Sequence, residues 1–100
     1  MLLDLPGARD RITSAYEQNR VLDDEGRTFM SFLHAIELLA DAREHGGVDV
    51  AMTDRFLKSL VVAEVIPLSF LSRLQTVLGD TESYQNTRGL ITKYKEQENP

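Results

Sequence analysis

Between residues 24 and 45 apolar side chains recur at helical spacing around more than one side of a helix, and a short chain cannot leave such a segment uncovered. Phe29, Phe32, Leu33, Ile36 and Leu39 form one stripe, with the small Ala40 beside it. Met30, Ala35, Leu38 and Ala42 widen that stripe beyond an ordinary amphipathic face. The periodic run ends at Gly46-Gly47, a pair that readily closes a helix. A helix of this length is on the order of 30 Å long. Either it is the centre of the domain, or part of it is an interface.

The remaining chain divides at its own breakers. Pro6 suits a helix start, with Asp4 or Leu5 as the cap region. Ala8, Ile12, Ala15, Tyr16, Asn19 and Leu22 then share one face, which predicts a first helix over 6–21. Asp23 or Asp24 is the N-cap of the second. Residues 48–52 read as a connector and Thr53 as the cap of a third helix. In that helix Phe56, Leu57, Leu60, Val61 and Ala63 face inward. The β-branched content of 60–66 permits a strand, but no second strand is visible to pair with it. Pro67 opens a fourth helix with Phe70, Leu71, Leu74, Val77 and Leu78 on one face, and Gly79 stops it. Asp80 or Thr81 caps a fifth, on which Tyr84, Thr87, Ile91 and Tyr94 repeat. Gly89 inside it costs about 1 kcal/mol relative to alanine. The expected fold is all-α: a compact bundle of about five helices in one domain over 1–95, with a long central second helix. Residues 96–100 are expected to be a frayed polar tail.

Composition narrows the chemistry. The chain is 42% hydrophobic and 27% charged, which excludes wholesale disorder. The absence of cysteine removes disulfides, cysteine-type zinc sites, iron–sulfur clusters and thiol catalysis together. The net charge is −5, and all the excess acid lies in the first fifty residues, densest at Asp23-Asp24-Glu25. That balance argues against general binding to nucleic acid or a membrane surface. The most apolar stretch, 56–71, is broken by Lys58, Glu64 and Pro67 and is too short to span a bilayer. No signal peptide is visible, so a cytoplasmic location is expected.

Candidate catalytic groups are few. His34 and Glu37 lie at i, i+3, and Asp41 and His45 at i, i+4, but no other predicted helix offers a matching ligand pair. No metal site or cofactor is expected. Ser31 and Ser59 do not sit on a glycine-flanked strand-to-helix turn, and Gly46-Gly47 follows a helix instead of opening one. No catalytic residue is expected, and the chain reads as non-enzymatic.

One segment has a recognisable local pattern. The run 60–78 reads as helix, a turn at Val65-Ile66, then Pro67-Leu68-Ser69-Phe70-Leu71-Ser72-Arg73-Leu74-Gln75. It resembles the helix-turn-helix of bacterial transcription regulators, over about a fifth of the chain. Ile66, Leu71 and Leu74 fall where that motif buries aliphatics. The resemblance implies DNA binding, with Ser69, Ser72, Arg73 and Gln75 as the polar face of a recognition helix. Two positions depart from it: Val65 stands where the turn usually has glycine, and Val61 where a small residue lets the helices approach.

The preferred reading is a small acidic protein-interaction module: an adaptor, inhibitor or regulatory subunit. It would bind another protein or a second copy of itself, as a homodimer, through the second helix and in part the third. Met30, Leu38 and Ala42 are the expected interface positions on the second helix. Asp23, Asp24 and Glu25 form either a helix start, favoured by the macrodipole, or a docking patch for a basic partner.

Overall fold

The computed structural model describes residues 5–80 and 82–98 of the chain. It is all-α, with five helices and no strand among the described residues: α1 (Leu5–Glu17), α2 (Asp24–Glu44), α3 (Val50–Val62), α4 (Leu68–Leu78) and α5 (Gln85–Glu98). Residues 60–66 close α3 and form the turn that follows it, so the strand alternative falls away. Helix α5 continues through Glu98, past the expected start of the polar tail at 96.

The first four helices end in the same way. The residue after each last turn takes a left-handed backbone: Asn19 (φ 56°), Gly46 (φ 75°), Glu64 (φ 54°) and Gly79 (φ 68°). At each, two amides fold back onto the last turn. Arg20 donates to the Ala15 carbonyl, Gly47 to Ala42, Val65 to Leu60 and Asp80 to Gln75. These bonds satisfy carbonyls that a helix end otherwise leaves open. Gly46 and Gly79 carried a sequence signal for this conformation; Asn19 and Glu64 stop their helices earlier than periodicity predicts.

The helix starts correct two expectations. Asp23 caps α2 as expected, its carboxylate accepting from the Gly26 amide at 2.7 Å. Helix α3 begins before Thr53, at Asp49, whose carboxylate accepts from the Met52 amide. Thr53 is buried inside the helix. Asp80 does not cap α5 directly; it accepts from the Glu82 and Ser83 amides and folds a turn ahead of the helix. Thr81, the other expected cap, lies outside the described residues.

Helices α2 and α5 are both central. Helix α2 packs on α1, α3 and α5, while α5 packs on α2, α3 and α4. The core joins Ile12, Phe29, Leu33, Ile36, Leu57, Ile66, Phe70, Leu71, Leu74, Leu90, Ile91 and Tyr94. Phe29 and Phe70 meet edge to face, 5.6 Å between centroids. Gly26 lies at the contact of α2 with α1: a Cβ there would stand 3.1 Å from the Asp23 carboxylate and 3.4 Å from Ile12. Helices α3 and α4 make no close backbone approach, and α4 packs instead on α1 and α5. Phe56, Ala63 and Leu78, expected inward, are exposed.

Candidate protein-docking surface on α2 and α3

The corner between α2 and α3 is fixed by a polar cluster. Arg43 at the end of α2 donates through Nε and Nη2 to the two carboxylate oxygens of Asp54 on α3, at 2.6 and 3.1 Å. The Tyr94 hydroxyl of α5 donates to the same carboxylate. The Arg43 bond, with lesser help from Tyr94, holds the Asp54 carboxyl down at about 2. Burial and the Asp54 charge push the Tyr94 phenol upward. Lys58 lies over the Tyr94 ring, 5.6 Å from its centroid. Three helices are thereby tied at one end.

Ile36 and Ala40 of α2 share a cavity wall with Leu57, Leu60 and Val61 of α3, closed by Ile66, Thr87, Leu90, Ile91 and Tyr94. The cavity measures about 20 Å³. That is the room of one water molecule, behind largely apolar walls, and too little for a small-molecule ligand.

The outer side of the same two helices is exposed and apolar. At about 100° per residue, Ser31, Ala35, Leu38 and Ala42 fall within one arc of α2, and Met52, Phe56, Ser59 and Ala63 within one arc of α3. Over 31–42 of α2 and 52–63 of α3 neither arc holds a charged residue; the exposed Asp24 shares the α2 arc at the start of the helix. Leu38 is 58% exposed, Met52 68% and Phe56 45%. Phe32 and Leu39 lie half-buried along the α2 flank. The charges stand at the two rims. On α2 these are His34, Asp41 and His45, with His45 Nδ1 3.3 Å from Asp41 Oδ1. On α3 the rim carries Arg55, beside the 69%-exposed Val62.

Of the interface positions expected from the sequence, Leu38 and Ala42 lie on this face. Met30 does not: it is half-buried against the core, about 80° around α2 from Leu38. Asp23, Asp24 and Glu25 form the helix start and are matched locally. Arg11 bridges Asp23 and Glu25 at 2.8 Å each, and Arg27 pairs with Asp24. The Gly26 amide, with Arg11, lowers the Asp23 carboxyl below its usual range. Sequence reasoning missed Met52 and Phe56. Their signal was weak: Thr53, Leu57, Leu60 and Val61 form the inner face, and Phe56 lies at its edge, about 40° around the helix from Leu60.

The polar face expected of a recognition helix is taken apart by packing. Gln75 is 5% exposed; it donates to the Ser83 carbonyl at 2.8 Å and accepts from Arg88 at 2.6 Å. Arg73 is paired with Glu17 at 3.2 Å and Asp10 at 3.7 Å of α1. Ser69 is exposed and Ser72 half-buried. Left-handed geometry falls on Glu64, one residue before the Val65 that the motif would place there.

The His34–Glu37 pair does not gather ligands. Glu37 accepts from the Thr87 amide and hydroxyl, both at 2.9 Å, and from Asn86 at 2.8 Å, which anchors the start of α5. No group of three or more metal-ligating side chains occurs among the described residues. No described helix is long and apolar enough to cross a membrane. Comparison with protein-family models, with curated proteins and with solved structures returns no match to this chain.

Proposed function

We propose that this chain is a protein-interaction module that acts without catalysis, by docking a protein on the outer α2–α3 face. The observation that carries this reading is the exposure of Leu38, Met52 and Phe56 on stretches of the two arcs, 31–42 and 52–63, that carry no charge, in a chain where 27% of residues are charged. Contiguous apolar surface of this kind marks interaction sites in small domains. The face is also held from behind: the Arg43–Asp54–Tyr94 cluster fixes the angle of the two helices before any partner arrives, which lowers the ordering cost of binding. Adaptor, inhibitor and regulatory subunit are all roles open to such a module.

Affinity capture from the native cell, with and without nuclease, tests the reading. A stoichiometric protein that survives nuclease and is lost with Phe56→Glu is the expected result. Nucleic acid enriched by the wild type and lost with Arg73→Ala would overturn it in favour of DNA binding through α4.

A further inference from the structure

We draw no further inference here: the strongest candidate, the exposed apolar face of α2 and α3 around Leu38, Met52 and Phe56, carries none because nothing in the structure shows what covers it.

Discussion

Two exposed residues show how single positions set this fold. Asn19 and Glu64 hold left-handed backbone where two other helix ends have glycine. For glutamate the conformation costs about 1 kcal/mol, and the two folded-back amides of Glu64 and Val65 compensate. Glu64→Gly should therefore raise stability by about 0.5–1 kcal/mol in urea denaturation; a loss of stability would contradict the strain assigned to that residue. The stop at Glu64 was not legible in the sequence, because glutamate does not advertise the conformation, whereas Asn19 is a residue type that tolerates it. Asp54 is the other decisive residue. Its carboxyl sits at about 2 in the fold against 3.8 in the free side chain. Its contribution is therefore whole above pH 4 and is lost as pH falls through about 2, a swing of about 2 kcal/mol. Asp54→Asn removes that dependence. The stability difference between wild type and variant, followed by denaturation from pH 7 to pH 2, should narrow by that amount; parallel curves would contradict the Arg43–Asp54 account.

At the scale of elements, α2 was readable because its apolar stripe, its Asp23 cap and its Gly46 stop agree. Helix α4 was readable for the same reason, between Pro67 and Gly79. The ends of α3 and α5 were not. Asp49 starts α3 earlier than Thr53, which brings Thr53 onto the inner face, and Phe56 at the edge of that face is left 45% exposed. The start of α5 is secured by Glu37, nearly fifty residues away in sequence, and no local signal reports such a partner. Removing it leaves the Thr87 amide and hydroxyl and the Asn86 amide without their acceptor. Glu37→Ala should cost about 2 kcal/mol and speed amide exchange in the first turn of α5. Unchanged protection there would show that α5 holds its start without α2.

At the scale of the molecule, helix count and class followed from periodicity, but the order of packing did not. Contacts of α1 with α4 and of α2 with α5 depend on crossing geometry that sequence spacing does not encode. The same packing draws Gln75 inside and ties Arg73 to α1, while it leaves Met52 and Phe56 outside. The candidate site was therefore half legible: Leu38 and Ala42 could be placed from α2 alone, whereas the α3 half needed the fold. Two methionines make the face directly observable. Met52 lies on it, and Met30 packs half-buried against the core. In a methyl-labelled sample titrated upward in concentration, and then with any captured protein, the Met52 methyl resonance should shift or broaden while that of Met30 stays in place. A Met52 signal unmoved under both conditions, or movement confined to Met30, would contradict the docking role of the α2–α3 face.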